Sequence, residues 1–290
     1  MRLLPVEAHL LCVGLVAVDL AARAWRIQLI VQGLGHPLSF RDAFVLNAFG
    51  DAASALTPLR IGGEPARLGG MLRSRVPAVA AFVAISLEVL AAWPVVIVAA
   101  GWLLWRYAPE WWAAAGPRLG AGLVEAWPWL VAVVVASVIA YVYARRVASP
   151  ATHHVRRPLR RVLVYWRRLP VGALIVSVPL SFLNLATRVA ILPVLALTLP
   201  HPPALGPMAV GSFALLYSQL VLPTPSGAGA VELGFVSGAA GELGRAEGWL
   251  LFLWRFYTNG IGIALGLALA ARVYGWRALT ALARRWRDRH

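Results

Sequence analysis

The chain is 290 residues long, 60% hydrophobic and only 13% charged. Its mean hydropathy of +0.72 excludes an ordinary soluble domain, in which about a quarter of the residues carry charge. The 27 basic against 12 acidic side chains leave a net charge of +15, and because every basic residue is arginine, lysine general bases, Schiff bases and Walker-type phosphate loops are excluded too.

The first apolar run covers about residues 6–31. Arg2 and the stretch ending near Ala21-Ala22-Arg23-Ala24 imitate a signal peptide, but Glu7 and Asp19 interrupt that stretch and it continues through Trp25 to Val31. It reads as a transmembrane helix that stays attached. Further spans are expected at 40–57, 76–105, 123–144, 171–199, 206–222, 231–246 and 248–274, since about 20 mostly apolar residues cross the hydrocarbon core. Segment 231–246 rises only about 24 Å at 1.5 Å per residue, so it reads either as a crossing or as half of a re-entrant hairpin. Alternating ten-residue strands are absent, which excludes a β-barrel. The fold class is therefore an all-α polytopic membrane protein, a single integral domain of about eight transmembrane or half-spanning helices.

Basic residues divide the chain into two halves, about 1–145 and 171–275, arranged as a pseudo-repeat. Between them lies a linker, 146–170, where Arg156, Arg157, Arg160, Arg161, Arg167 and Arg168 follow the Arg145-Arg146 pair; Arg277, Arg284, Arg285, Arg287 and Arg289 mark a basic tail, 276–290. Arginine-rich loops stay cytoplasmic. The linker and tail are expected on the cytoplasmic side of a cell inner membrane, against anionic lipid headgroups. With Arg73 and Arg75 also inside, four crossings fall in each half. Because the arginines flank apolar spans, nucleic acid is not an expected partner.

Two segments break the apolar pattern at matching places in the two halves. One is Thr57-Pro58-Leu59-Arg60-Ile61-Gly62-Gly63-Glu64-Pro65-Ala66-Arg67; the other is Leu222-Pro223-Thr224-Pro225-Ser226-Gly227-Ala228-Gly229-Ala230-Val231-Glu232. Each carries Pro, then glycines, then a Glu that opens a new helix, where unpaired N–H groups and the positive dipole end favour a carboxylate. Non-helical backbone at membrane depth persists only when buried in protein or lining a wet cavity, and such broken segments in two halves point to a transporter's substrate site. Ordinary interhelical loops are the plainer alternative. Glu88 and Arg255 occupy corresponding positions downstream of the two segments.

Polar seams support a cavity. Ser177, Ser181, Asn184 and Arg188 are spaced to share one helical face, as are Asn47, Asp51, Ser54 and Pro58; Asp19, Arg23 and Arg26; and Arg255, Asn259 and Gly262. A charge at a helix centre costs about 2.5–3.5 kcal/mol on insertion scales, so these seams are expected to face inward and pair. Asp19 with Arg23 and Glu88 with Arg255 are the expected ion pairs, although salt bridges that merely lock the bundle are the structural alternative. The tryptophans at 102, 105, 111, 112, 127 and 129 read as an interfacial belt. Gly262/Gly266 and Gly234/Gly238 read as helix-packing surfaces. Cys12 is the single cysteine, and His153-His154 has no carboxylate or thiol nearby. No metal site, cofactor or catalytic residue is expected.

At the two broken segments the chain resembles the transmembrane, flippase-like domain of lysylphosphatidylglycerol synthases, which also occurs as stand-alone proteins. Arg60 to Arg67 looks like that family's Arg-x-Gly-Glu-x-x-Arg signature with one extra residue between Arg and Glu. Pro225 to Glu232 looks like its Pro-Gly-Gly-x-Gly-x-x-Glu signature with Ser226 in place of the first Gly. Glu88 sits where the family often has a second Glu, and Arg255 at its downstream arginine. The resemblance covers about residues 40–275 and implies a stand-alone member without the aminoacyl-transferase domain.

It also implies a lipid translocator that moves a phospholipid or lipid-linked headgroup between leaflets through an Arg/Glu-lined cavity. The expected substrate-binding set is Arg60, Gly63, Glu64, Arg67, Glu88, Arg188, Pro225, Gly227, Gly229, Glu232, Arg255 and Asn259. In that set Arg60, Arg67, Arg188 and Arg255 would engage a phosphate. Glu64, Glu88 and Glu232 would receive a cationic headgroup, pair with the arginines or exchange protons. Two alternatives stay open at this point: a membrane-embedded enzyme acting on a lipid-linked phosphate or sugar with Glu64 or Glu232 as general base, and a lipid-binding partner of an envelope glycosyltransferase.

Overall fold

The structure, a computed structural model, describes residues 5–107, 170–219 and 246–274, together with the single positions 109 and 128. Every described element is helical. Helix α1 (Pro5–Gly33) runs 29 residues and stops at Gly35, which adopts a left-handed φ of 85°. There Gly35 N–H donates to Gln32 O at 2.9 Å and His36 N–H to Val31 O at 3.2 Å, the paired bonds of a Schellman cap, and Pro37 follows.

Helix α2 (Phe40–Leu56) begins where Ser39 Oγ accepts from Asp42 N–H at 3.0 Å, an N-cap. It ends at Thr57, held extended before Pro58, because the proline ring disfavours the helical region for the residue preceding it. Thr57 Oγ1 donates to Ala53 O at 2.8 Å and accepts from Gly62 N–H at 2.9 Å, so one hydroxyl ties the turn shut. Helix α3 (Gly63–Arg73) then runs back along α2. The closeness of this hairpin explains its glycines. A Cβ on Gly50 would overlap the Arg67 side chain, one on Gly63 the Ser54 hydroxyl, and one on Gly70 would come within 2.7 Å of Leu46.

Helix α4 (Ala78–Tyr107) starts after Pro77 and contains Pro94; α5 (Val171–Ala196) starts after Pro170 and contains Pro179 and Pro193. Helix α6 (Leu205–Ser218) is 14 residues long. Helices α7 (Ala246–Arg255) and α8 (Ile261–Tyr274) are joined by a π-helical turn, Phe256–Gly260. Four helical stretches are long and apolar enough to cross a membrane: Pro5–Gly33, Ala78–Tyr107, Val171–Ala196 and Gly248–Val273. At 1.5 Å per residue α2 and α6 reach only about 25 and 21 Å, short of a bilayer core of about 30 Å. The expected spans at 123–144 and 231–246 lie outside the described residues.

Helix α1 is the central element and packs on α2, α4 and α5. Its second half joins α2, α3 and α4 in one apolar cluster that includes Ile27, Ile30, Leu46, Met71 and Leu87. Its first half joins α5, α6 and α7 in another, around Cys12, Leu20, Leu192, Leu195 and Trp254. Val6, Leu10 and Val13 of α1, with Ile97, Val98, Trp102 and Trp105 of α4, point outward. Such an apolar exterior is what a bilayer requires.

Arg73 donates to Val273 O at 2.7 Å, and a Cβ on Gly33 would overlap Pro170. The ends of α1, α3 and α8 and the starts of α4 and α5 therefore gather at one end of the bundle. Tyr107 meets Gly206 at the other end, where α4 finishes and α6 begins.

Candidate functional site

The polar seams turn toward one another between the two apolar clusters. They line a cavity of about 330 Å³ walled by α1, α2, α3, α4, α5 and the end of α6. Asp19 lies near the middle of α1, Asn184 near the middle of α5 and Asn259 near the middle of the Gly248–Val273 span. The site is thus at mid-span.

Two ion networks frame it. Arg23 donates to Asp19 Oδ2 at 2.8 Å and to Asp51 Oδ1 at 2.6 Å, and Asn184 donates to Asp19. Glu88, almost fully buried, accepts from Arg26 at 2.6 and 3.1 Å and from Arg67 on its other oxygen. Arg26 also donates to Ser181 Oγ at 2.8 Å, and Arg67 reaches Glu64 at 3.3 Å. Each of these carboxylates has a guanidinium neighbour, as buried charge demands. The expected Asp19–Arg23 pair is present. Glu88, expected to pair with Arg255, instead meets Arg26 and Arg67, because α1 and the α2–α3 hairpin are the elements facing that stretch of α4.

Two arginines differ from the rest. Arg60 donates to Gln219 Oε1 at 3.1 Å and Asn259 Oδ1 at 3.4 Å; Arg188 donates to Thr258 O at 3.4 Å. All three acceptors are neutral, and neither arginine has a carboxylate within ion-pair distance among the described residues. Both line the same cavity, where Arg188 acts on Arg60 as a like charge and Asp51 as a counter-charge beyond ion-pair distance. Arg60 is delivered by backbone geometry: Leu59 and Arg60 both adopt left-handed φ angles, 52° and 57°, which non-glycine residues rarely occupy outside functional turns. The π-helical turn brings Asn259 and the Thr258 carbonyl to the two guanidinia. Such turns interrupt helices mostly at functional sites. Around the same cavity the buried donors Arg23 Nε, Arg67 Nε and Asn47 Nδ2 have no partner among the described residues.

Of the residues expected from sequence, Arg60, Glu64, Arg67, Glu88 and Arg188 line the cavity, Asn259 is bonded to Arg60, and Gly63 lets α3 close on α2. Arg255 sits one residue before the π turn and is not among the residues lining the cavity. Pro225, Gly227, Gly229 and Glu232 lie outside the described residues. The structure adds Arg23, Arg26, Asp51, Asn184 and Gln219 to the site. The first four were legible as members of the polar seams. Gln219 belongs to no seam; its signal is a lone amide at the end of an apolar helix. Among the described residues no grouping of three or more His, Cys, Asp or Glu is placed to hold a metal ion.

Arginine-rich polar chemistry at the middle of a lipid-facing helical bundle defines a polytopic membrane protein with an intramembrane site. Comparison with known proteins specifies the class further: the chain belongs to the lysylphosphatidylglycerol synthase TM region family, whose profile matches residues 1–266. Membership ties the protein to membrane lipids. No curated protein and no solved structure matches the chain.

Proposed function

We propose that the protein binds an anionic lipid headgroup in the mid-span cavity and translocates the lipid between leaflets. The observation that carries this reading is the pair Arg60 and Arg188. The three other arginines lining the cavity, Arg23, Arg26 and Arg67, are each ion-paired, whereas among the described residues these two guanidinia hold only neutral oxygens. Guanidinium offers planar, bidentate donors to phosphate, and a phosphodiester between the two would relieve their mutual repulsion. The partnerless donors Asn47 Nδ2 and Arg67 Nε are suited to further acceptor oxygens of the same headgroup.

Glu232 belongs to the same proposal: replacing it by Gln abolishes transport while leaving the protein folded. The basic linker and tail rest against anionic headgroups on the cytoplasmic side of the inner membrane, which fits the gathering of Arg73, Pro170 and Val273 at one end of the bundle. An enzymatic role is less well supported, because every described carboxylate lining the cavity lies within ion-pair distance of an arginine, which disfavours a free general base.

Mass-spectrometric lipid analysis of the detergent-purified protein, beside an Arg60→Ala/Glu232→Gln variant, tests the reading. One anionic or aminoacylated lipid enriched in the wild type and lost from the variant is the expected result. Equal amounts of bulk lipid in both proteins would displace translocation in favour of a partner role beside an envelope enzyme.

A further inference from the structure

A second cavity, of about 920 Å³ and almost wholly apolar, runs along the outer face of α4 and α5 and reaches the start of α6. Its lining includes small side chains, Ala99, Ala186 and Ala190, and two prolines, Pro94 and Pro193, beside the buried Leu103, Leu185 and Val189. Val98, Trp102 and Phe182 on its walls are exposed, so among the described residues it is open on its outer side. It adjoins the polar cavity directly. Leu185 lines both, and on α4 the polar cavity takes Trp93 and Val96 while the groove takes Pro94 and Val95. From Pro94 to Tyr107 the groove follows α4 for about 20 Å at 1.5 Å per residue. That is a little more than one leaflet of a hydrocarbon core about 30 Å thick. The groove therefore passes beside the mid-span polar cavity and ends at the membrane boundary, where Tyr107 and Gly206 line it.

We infer that this groove seats one acyl chain of the lipid whose headgroup phosphate lies at Arg60 and Arg188, so that the ligand is an intact long-chain anionic lipid and not a water-soluble phosphate. This inference rests on the headgroup reading above and extends it. Two adjoining cavities of opposite polarity, one cationic and one apolar, match the two parts of an amphiphile joined at a single point. A soluble anion would make no use of the groove. Free hydrocarbon would make no use of the arginines. Small side chains in the lining leave room for a chain where larger residues would fill the groove.

The test uses the full chain in detergent–lipid micelles with phosphatidylglycerol carrying a diazirine in one acyl chain, and glycerophosphoglycerol as a soluble competitor. Photolysis followed by peptide mapping is expected to concentrate adducts on the α4 and α5 residues of the groove. Filling the groove by Ala99→Trp, or more gently by Ala186→Leu, is expected to reduce those adducts at least tenfold. Val13→Trp on the outward face of α1 leaves them unchanged. Arg60→Ala/Arg188→Ala also removes the groove adducts, because the chain is anchored through its headgroup. Adducts spread evenly over all outward helix faces and untouched by both groove-filling substitutions would overturn the groove while leaving the headgroup site standing. Groove adducts that persist in the double arginine variant would instead overturn the headgroup reading. Glycerophosphoglycerol displacing the probe as well as unlabelled phosphatidylglycerol does would show that the chain contributes nothing, and would overturn the inference.

Discussion

The Arg60 guanidinium donates to the Gln219 side-chain oxygen at 3.1 Å, across 159 residues of sequence. Arg60 is at the tip of the α2–α3 hairpin, which enters the bundle from the end that carries Arg73. Gln219 caps α6, which enters from the end that carries Tyr107. Neither α2 nor α6 is long enough to cross, and their tips meet at mid-span against Asn259, where the span Gly248–Val273 is itself interrupted by a π turn. Three broken pieces of helix thus converge on one arginine. Their polar ends would be costly in hydrocarbon, and each is satisfied by the others.

Replacing Gln219 by Leu tests that junction. The substitution keeps a side chain of similar length but removes the acceptor of a charged donor, an interaction worth about 1.5–3 kcal/mol. A lowered melting temperature in detergent is the expected outcome, with the Arg60–Asn259 contact as the remaining tie. An unchanged melting curve would show that the hairpin tip and α6 are held by other contacts.

Glu88 and Glu64 both meet Arg67, yet they are expected to differ sharply. Glu88→Ala leaves two buried guanidinia, Arg26 and Arg67, without their shared counter-charge, and breaking a buried pair from one side costs about 3–5 kcal/mol. Glu64 is 52% exposed at its side chain, and its pair with Arg67 is worth about 0–1 kcal/mol. Thermal melts of the two alanine variants check this ordering: a large loss for Glu88→Ala and almost none for Glu64→Ala.

The glycines of the hairpin give a steric contrast. At Gly50 a Cβ would overlap the Arg67 side chain, so Gly50→Ala forces α3 away from α2 and displaces a partner of Glu88. At Gly69, on the outer face of α3, nothing lies within 4 Å of an added Cβ. Gly69→Ala is expected to stabilise the helix by about 0.5–1 kcal/mol through the lost backbone freedom of glycine. Gly50→Ala is expected to reduce both stability and lipid binding, read by the same melts and by the amount of co-purified lipid.

Much of this arrangement is written locally and some of it is not. The Asp19–Arg23 pair, the helix opening at Gly63–Glu64 and the inward seams on α1, α2 and α5 follow from helical period and from the cost of charge in a membrane, which any single segment reveals. Gly266 packs on Ala48 and Ala52 of α2, as its GxxxG spacing suggests. The partner of Glu88 was not legible. Pseudo-repeat spacing sets Arg255 opposite it, but pairing depends on which helices are neighbours, and that is decided by the packing of α1 against α4. Gln219 escaped for a similar reason: one amide in an apolar run has no period to expose it. The π turn left no sequence mark beyond the Asn259-Gly260 pair. The second Pro/Gly segment, from Pro225 to Glu232, lies outside the described residues.

The central claim is that Arg60 and Arg188, which have no carboxylate partner among the described residues, carry an anionic headgroup across the membrane. Its most direct measurement is leaflet exchange of fluorescent phosphatidylglycerol in proteoliposomes, read by membrane-impermeant quenching, for the wild type and for Arg60→Ala/Arg188→Ala. The account predicts rapid exchange in the wild type. In the double variant it predicts exchange slowed at least tenfold, roughly the 1.4 kcal/mol or more that losing charge-assisted contacts costs, in a protein that still folds but melts at a lower temperature because the Arg60 contacts to Gln219 and Asn259 are gone. Exchange at the wild-type rate in the folded double variant would contradict it.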